Sequence, residues 1–144
     1  MLQEEQNWEA EVKNMKEHPI IVMSTKGDFK KTNNFFERLK ETVKLGDLDK
    51  YGKMGVEALK NYTPRDTGKT ANSWGYEITH EKNKIVISWY NTNIVDYVNI
   101  AVILQFGHAT KDGGWVEGRD YINPAMAPIF EQIAESAWKE VKRR

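Results

Sequence analysis

Gly68, Lys69 and Thr70 match the end of a phosphate-binding loop, whose pattern is G-x-x-x-x-G-K-[ST]. Such a loop holds phosphate oxygens with consecutive backbone N–H groups, and its lysine reaches the outer phosphates. The pattern requires a first glycine five residues before Gly68, where this chain has Thr63. It also requires a strand before the loop and a helix after it, whereas here a predicted helix precedes and a predicted hairpin follows. The sequence therefore favours a turn over a nucleotide site.

The segment between the predicted helix and hairpin contains residue types that shape tight turns. Pro64 restricts its own φ, and Thr63 or Asp66 can accept hydrogen bonds from nearby backbone N–H groups. Gly68 allows a positive φ. We therefore expect these residues to define the path of the chain rather than to bind a ligand.

The segment DLDKYGKMGVEA nearly matches a calcium-binding loop of the EF-hand type. Asp47, Asp49 and Gly52 stand at its first, third and sixth positions, as that loop requires. Its fifth position is Tyr51, and the glutamate required at position twelve stands one residue early, at Glu57. A bidentate carboxylate displaced by one residue does not point at the ion, so the segment is interpreted as the start of a helix.

The three histidines lack metal-ligand spacing such as H-x-x-x-H. His108, Asp112 and Glu117 share one glycine-rich loop and could cluster there, but a histidine that hydrogen-bonds to backbone is the preferred interpretation. No serine lies in a G-x-S-x-G nucleophile turn. We therefore predict no catalytic residues, no cofactor, no metal and no enzyme activity. The alternative hypothesis is a small nucleotide-binding protein or enzyme that uses the Lys69 turn and the His108 loop.

Residues 1–19 are predicted to form an N-terminal helical arm. Trp8, Val12 and Met15 recur at spacings of four and three, so they share one side of a helix over about 3–17. Pro19 ends that helix, because the residue before a proline avoids helical backbone angles. This thin apolar stripe suits packing on another subunit, and a frayed tail is the alternative.

Residues 20–144 are predicted to form a single domain, whose first half contains one strand and two helices. The apolar, β-branched run at 20–25 indicates the strand. Apolar residues recur at helical spacing over about 32–45 and 48–62, and Gly46 and Asp47 between them suit a helix stop and a helix cap. Two helices with so short a link are expected to pack antiparallel.

The second half of the domain is predicted to begin with a β-hairpin, because apolar and polar residues alternate over 76–80 and 84–90. The mostly apolar run at 95–106 is either a buried strand or a short helix, since periodicity does not separate the two. Glycines and charges make 108–123 loop-like. A final helix over about 124–142 has Pro124 in its first turn.

These elements predict an α+β fold, in which a small antiparallel sheet packs against two or three helices, with a long C-terminal helix and an N-terminal helical arm. No apolar run of about 18 residues predicts a membrane span, and the polar, acid-rich N-terminus does not resemble a secretory signal. The 21 basic and 21 acidic residues balance, which argues against specific nucleic-acid binding, since DNA-binding domains usually carry a basic excess. The absence of cysteine excludes disulfides and fits a reducing cytoplasm.

The turn segment PRDTGKTANS, at 64–73, resembles the P-x-D-T-G-x-L-x-x-S signature of bacteriophage tail-completion, or minor-capsid neck, proteins. The matching positions are Pro64, Asp66, Thr67, Gly68 and Ser73. Thr70 stands where that family usually has leucine, so the apolar anchor of this turn is expected to be weaker here.

The segment at 104–126 resembles a later element of prophage members of the same family. In that element an apolar run ends in an [EQ]-x-G turn, a variable loop follows, and a final helix begins near a proline. Here Gln105, Phe106 and Gly107 form the turn and Pro124 stands at the helix start. The order of the predicted elements also agrees, and the resemblance covers about residues 20–142.

The resemblance implies a non-enzymatic structural protein in the neck of a phage or phage-derived tail. Family members assemble as rings, commonly sixfold or twelvefold, that complete the tail and join it to the head or collar. The implied partners are further copies of the chain, tail terminator, tube or sheath proteins, and head-closure or collar proteins. The implied location is a virion or tail particle assembled in the bacterial host cytoplasm. The expected interface residues lie in the arm and the glycine-rich loop: Trp8, Val12, Met15, His108, Lys111, Asp112, Trp115 and Arg119.

Overall fold

The computed structural model describes residues 19–24, 45–81 and 84–142. In chain order the elements are β1 (Ile21–Ser24), α1 (Leu45–Tyr62), a 3₁₀ turn (Ala71–Ser73), β2 (Trp74–Glu81), β3 (Lys84–Asn91), β4 (Ile94–Val95), β5 (Val98–Asn99), α2 (Ile100–Phe106), β6 (Gly107–Ala109), β7 (Trp115–Glu117) and α3 (Ile122–Lys142). The predicted α+β class, with a small antiparallel sheet and a long C-terminal helix, is confirmed.

β1, β3 and β2 form a three-stranded antiparallel sheet with β3 in the centre. Side chains alternate between the two faces of a strand, and the register places Ile21 and Tyr76 beside Trp89 on one face. This face packs against α1, and α3 packs beside α1. The buried apolar residues of the resulting core are Leu48, Leu59, Trp74, Ile87, Trp89, Ala101, Tyr121, Ile122, Ala125, Met126 and Ile129.

α1 approaches the sheet closely because two of its glycines face the strands. A Cβ atom at Gly52 would overlap the ring of Tyr76, and a Cβ atom at Gly55 would overlap the indole of Trp89. The Trp89 indole N–H donates a hydrogen bond of 3.1 Å to the Gly52 carbonyl. Phe130 of α3 meets the same indole edge-on, with 6.3 Å between the ring centroids. The two helices and the sheet thus converge on one fully buried tryptophan.

The segment that nearly matches a calcium loop lies within α1 and is part of this packing. The Tyr76 hydroxyl donates a hydrogen bond to the Asp49 carboxylate, which also pairs with Lys53 at 3.2 Å. The hydrogen bond from Tyr76 lowers the pKa of Asp49, and the same bond raises the pKa of Tyr76 to about 12. Asp49 therefore joins the helix to β2.

The helix stop predicted at Gly46 and the helix cap predicted at Asp47 are wrong, because α1 contains both residues. Glycine inside a helix costs only about 1 kcal/mol relative to alanine, and the packing of α1 against the sheet offsets that cost. The predicted helix over 32–45 and the predicted arm lie outside the described residues, apart from the last residue of each.

The run at 95–106, for which strand and helix were both open, contains β5 followed by α2. The prediction of a loop over 108–123 is wrong in part, because β6 and β7 pair as a two-stranded ribbon. The polar residues that connect the two strands form a turn, in which the Thr110 N–H donates a hydrogen bond of 2.9 Å to the Gly114 carbonyl. α3 has Pro124 in its first turn, as predicted.

Candidate interaction surface

The turn that follows α1 is held by its own side chains. Gly68 has a φ of 81°, and the Thr67 hydroxyl accepts a hydrogen bond of 3.3 Å from the Lys69 N–H. The Ser73 hydroxyl donates to the Lys69 carbonyl at 2.6 Å. The side chain and the backbone N–H of Asn72 both donate to the Gly68 carbonyl. These bonds wind the chain into the 3₁₀ turn that leads to β2.

Thr63 and Asp66 do not accept the backbone hydrogen bonds that the sequence suggests for them. The Thr63 hydroxyl donates to the Leu59 carbonyl at 2.5 Å and accepts from the Trp74 indole N–H at 2.9 Å. Asp66 is exposed, and its carboxylate has no hydrogen bond to any described residue. Thr67 accepts the backbone bond instead, while Thr63 ties the end of α1 to the first residue of β2.

Three asparagines, Asn91, Asn93 and Asn99, connect this turn to the next part of the chain, and we call them the asparagine cluster. The Asn91 amide donates to the Thr70 carbonyl and the Asn93 amide to the Thr70 hydroxyl, both at 2.9 Å. Asn99 donates to the Asn91 carbonyl at 3.3 Å and caps α2 by accepting from the Ala101 N–H at 3.1 Å. Thr70 is only 8% exposed, so hydrogen bonds rather than apolar contacts hold this buried position.

Gln105 connects α2 to α3. Its Oε1 accepts hydrogen bonds of 3.0 Å from the backbone N–H groups of Tyr121 and Ile122. Its Nε2 donates to the Asp120 carboxylate at 2.8 Å, and this bond lowers the pKa of Asp120. Asp120 also accepts from the Asn123 N–H at 3.2 Å. Because the first N–H groups of a helix have no partner inside it, Gln105 and Asp120 together cap α3.

A buried aromatic pair links the asparagine cluster to the Gln105 junction. Tyr121 and Trp74 meet edge to face, with 6.5 Å between their ring centroids. The Tyr121 hydroxyl donates to the Ala101 carbonyl at 2.6 Å, and burial raises the pKa of this hydroxyl. The start of α2, the start of α3 and the start of β2 are therefore fixed relative to one another.

Gly107 is required at its position by both conformation and space. Its φ is 85°, and a Cβ atom there would lie 2.6 Å from the Val116 carbonyl oxygen. Gly118 comes equally close, since its Cβ would lie 2.5 Å from the Gln105 carbonyl oxygen. Phe106, which lies between Gln105 and Gly107 in the sequence, is 69% exposed. In the Q-F-G triplet, the first and third residues hold the turn and the second faces solvent.

β4 and β5 form a two-residue hairpin at the start of α2, and we call residues 94–99 the tyrosine hairpin. Both residues of its turn have positive φ, 50° at Asp96 and 65° at Tyr97. Tyr97 is fully exposed, at 103% of its reference area. The hairpin also exposes three β-branched side chains, those of Ile94, Val95 and Val98.

β6 and β7 form a second projection at the end of α2, and we call residues 107–117 the tryptophan ribbon. Trp115 and Val116 are 59% and 45% exposed, and Phe106 lies directly before the ribbon. Lys111 and Asp112 are exposed in its connecting turn. His108 is half-buried, and its Nδ1 is buried without a hydrogen-bond partner among the described residues.

The structure therefore places the predicted interface residues of the loop on one projection. His108, Lys111, Asp112 and Trp115 lie within the tryptophan ribbon and the exposed Arg119 lies two residues beyond it. Trp8, Val12 and Met15 of the arm lie outside the described residues. Sequence reasoning missed the tyrosine hairpin, because a two-residue hairpin is usually recognised by Asn-Gly or Asp-Gly, and this chain has Asp-Tyr. The sequence signal that could have indicated this hairpin was Asp96, a single charged residue within the apolar, β-branched run at 94–98.

The Lys69 turn has a helix on its N-terminal side, and a 3₁₀ turn of three residues and a strand on its C-terminal side. A phosphate-binding loop instead joins a strand to a helix. Among the described residues, no group of three or more His, Asp or Glu side chains is placed to hold a metal ion. Nor does any helix in this part of the chain have the length and apolar character needed to cross a membrane.

Comparison of the chain with protein-family models, with curated proteins and with solved structures finds no match.

Proposed function

We propose that this chain is a non-enzymatic structural protein of the neck of a phage or phage-derived tail. Copies of it would form a ring that completes the tail and joins it to the head or collar. The observation that carries the proposal is the joint presence, in the family's order, of the D-T-G segment at 64–73 and the Q-F-G segment at 104–126.

The geometry of these two segments supports the proposal. Gly68 and Ser73 hold the first turn through backbone conformation and a hydrogen bond to the Lys69 carbonyl. Gln105 caps α3, and Gly107 has no Cβ atom, which leaves space for the backbone of Val116 and Gly118 beside it. These four positions of the resemblance thus have structural roles in one fold, which is what a signature of a shared fold would require.

The exposed residues support an assembly role. Monomeric proteins seldom expose several large apolar side chains on one projection, and such surfaces commonly mark protein–protein contacts. Here the two projections at the ends of α2 expose Tyr97, Phe106 and Trp115. Ring neighbours of the same chain, in sixfold or twelvefold number, and the tail and head-side proteins above and below them are the proposed occupants of these surfaces.

The test of the proposal is the composition of assembled particles. Tails purified from a host that carries this gene should contain the chain in a multiple of six copies, measured by quantitative mass spectrometry against the tail-tube protein. Deletion of the gene should leave tails and heads that do not join in electron micrographs. Particles that lack the chain, or normal particles after deletion, would contradict the proposal.

The N-terminal arm has its own experiment. Deletion of residues 1–18 should leave the fold intact by circular dichroism and reduce incorporation into particles, because the arm is expected to contact another subunit. Unchanged incorporation would remove the arm from the proposal and leave the rest. In the same preparations, ATP or GTP binding by calorimetry that is lost on Lys69→Ala would instead support the nucleotide-binding alternative.

A further inference from the structure

We infer that Asp112, in the turn of the tryptophan ribbon, converts spontaneously to isoaspartate through a cyclic imide with the backbone nitrogen of Gly113. The ribbon thus carries a site of covalent modification that needs no enzyme and no reactant other than water. The inference concerns a single copy of the chain and does not depend on the proposed function.

The reaction joins the aspartate side chain to the next backbone nitrogen. The nitrogen of Gly113 attacks Cγ of the protonated Asp112 carboxyl group, a C–N bond forms, and the N–H hydrogen leaves with the carboxyl O–H as water. The imide then takes up one water molecule. Attack of this water at Cγ restores aspartate, whereas attack at the Asp112 backbone carbonyl gives isoaspartate. The water released equals the water taken up, so no oxidant or reductant is needed.

The residue after the aspartate controls this reaction, because its side chain obstructs closure of the ring. Asp112 is the only aspartate in the chain that precedes glycine, and no asparagine precedes glycine. Glycine has no Cβ atom and adopts backbone angles that other residues avoid. Asp66 and Asp96 are also exposed, but they precede the β-branched Thr67 and the bulky Tyr97. The sequence therefore directs the reaction to the ribbon.

The turn leaves both reacting residues accessible. Asp112 and Gly113 are exposed, as are their neighbours Lys111 and Gly114. A Cβ atom at Gly113 would have no described atom within 4 Å, so the surroundings of the reacting nitrogen are open. The Gly113 N–H donates to the Thr110 carbonyl at 3.2 Å, the long end of the normal range. Exposed turns open locally at little cost in free energy, and opening frees this nitrogen.

Two other aspartates precede a nitrogen that the fold holds in place. The N–H after Asp120 belongs to the buried Tyr121 and donates to Gln105 Oε1 at 3.0 Å. The N–H after Asp49 belongs to Lys50 inside α1, where helix geometry directs it to the carbonyl four residues before. A nitrogen fixed in such a bond is not free to attack the carboxyl group, so these two aspartates are protected.

Isomerisation changes the closure of the ribbon. The Gly113 nitrogen has no hydrogen in the imide, so its bond to the Thr110 carbonyl is lost. In isoaspartate the main chain runs through Cβ and Cγ, which adds one backbone atom to the turn. The two bonds that Thr110 makes with Gly114, of 2.9 and 3.0 Å, enclose this lengthened segment and should weaken. Trp115, which pairs with Ala109 beside the turn, then loses part of its support.

The first experiment incubates the full chain near neutral pH in water enriched in heavy oxygen, followed by peptide mapping with mass spectrometry. Uptake of water by the imide should place heavy oxygen in the peptide that contains Asp112 and Gly113. An isoaspartate-specific methyltransferase should then methylate the same peptide. Peptides that contain the other aspartates should gain neither label. Labels spread evenly over all aspartates would overturn the assignment to the ribbon.

Two variants of Asp112 provide matched controls in opposite directions. Asp112→Glu keeps the charge, but its longer side chain must close a larger ring, so the uptake of heavy oxygen should be lost. Asp112→Asn should take up heavy oxygen faster than the wild type, because its amide forms the imide more readily and releases ammonia. A wild-type peptide that matches Asp112→Glu, at a time when Asp112→Asn has converted completely, overturns the inference.

The same incubation in urea tests the part played by the fold. Asp112 should gain heavy oxygen in the folded and in the unfolded chain, because the turn leaves Gly113 accessible. Asp120 should gain it, if at all, only in urea, where the bond from Tyr121 to Gln105 is absent. Labelling of Asp112 that occurs only in urea overturns the inference, since the folded turn would then protect this residue.

Hydrogen exchange tests the consequence for the ribbon. After incubation, the amides of Thr110 and Gly114 should exchange faster in the isomerised wild type than in Asp112→Glu incubated in parallel. The amides of α1 should exchange equally in the two, because the modified turn lies outside that helix. Equal exchange in the ribbon overturns the loss of closure, and faster exchange throughout the chain shows global unfolding instead and overturns it as well.

Discussion

The polar junctions around α2 bury polar side chains, whereas the projections at its ends expose aromatic ones, which reverses the usual arrangement of core and surface. Gln105 and Asn91 are buried, whereas Phe106 and Tyr97 are exposed. The buried amides bond to backbone groups that would otherwise lack partners, and the two rings lie mostly in solvent. The difference separates residues that fix the geometry of this fold from large apolar residues that the fold leaves exposed to solvent.

This separation occurs between adjacent residues in the Q-F-G triplet. Gln105 and Gly107 face the start of α3 and the crossing backbone, and Phe106 between them faces solvent. Substitution at the outer positions should therefore reduce the free energy of unfolding of an isolated copy. Substitution at the central position should reduce association and leave that free energy unchanged.

The largest loss of stability is expected for Gly107→Ala. Its φ of 85° and ψ of 172° lie in a region that essentially only glycine adopts, which costs alanine about 1–3 kcal/mol. Overlap with the Val116 carbonyl adds about 1–3 kcal/mol, because backbone on both sides limits relaxation. Urea unfolding should therefore show a loss of about 3 kcal/mol. Gly113→Ala is the matched control, since Gly113 has a similar φ of 81° but nothing within 4 Å of its Cβ position. Equal losses in the two variants would show that conformation alone matters.

The next largest effect is expected for Gln105→Ala. The N–H groups of Tyr121 and Ile122 would lose their acceptor, and a buried donor without a partner costs about 1–3 kcal/mol. We expect a loss of about 2 kcal/mol by urea unfolding. Phe106→Ala, one residue away and exposed, should stay within about 0.5 kcal/mol of the wild type. A Phe106→Ala loss as large as that of Gln105→Ala would contradict the comparison between junction and projection.

The sequence allowed the main elements to be predicted because their signals are local. Alternation located the central hairpin, and helical spacing located α1 and the C-terminal helix with its first-turn proline. Gly46 shows the limit of a local rule, since α1 contains it although glycine favours a helix end.

The site was less predictable than the fold because its bonds join distant parts of the chain. Gln105 bonds to residues 15–17 positions later, and Asn93 bonds to Thr70, 23 positions earlier. No periodicity or turn rule connects such positions. The resemblance marked Gln105, but the task of its amide, to cap α3, follows only from the backbone geometry.

A smaller effect is expected at Thr70, which holds the asparagine cluster to the turn after α1. Thr70→Leu removes the hydroxyl that accepts from the Asn93 amide, and the unpaired amide costs about 1–2 kcal/mol, part of which the added apolar contact offsets. We expect a net loss of about 1 kcal/mol by urea unfolding. Thr70→Ser keeps the hydroxyl and should lose less. If Thr70→Leu is instead more stable than the wild type, the hydrogen bond between Asn93 and Thr70 orients the chain but does not add to the free energy of unfolding.

The smallest effect concerns the pKa of Asp120, which the hydrogen bond from Gln105 lowers. A carboxyl whose pKa is lower in the folded state stabilises the fold above its unfolded-state pKa and loses that contribution as pH falls through the folded-state pKa. Gln105→Ala removes the largest cause of the shift. Its deficit in unfolding free energy should therefore be constant near neutral pH and shrink below about pH 4. Carboxyl NMR titration should show the Asp120 pKa rising in Gln105→Ala and rising less in Asn123→Ala, and equal rises would contradict the assignment to Gln105.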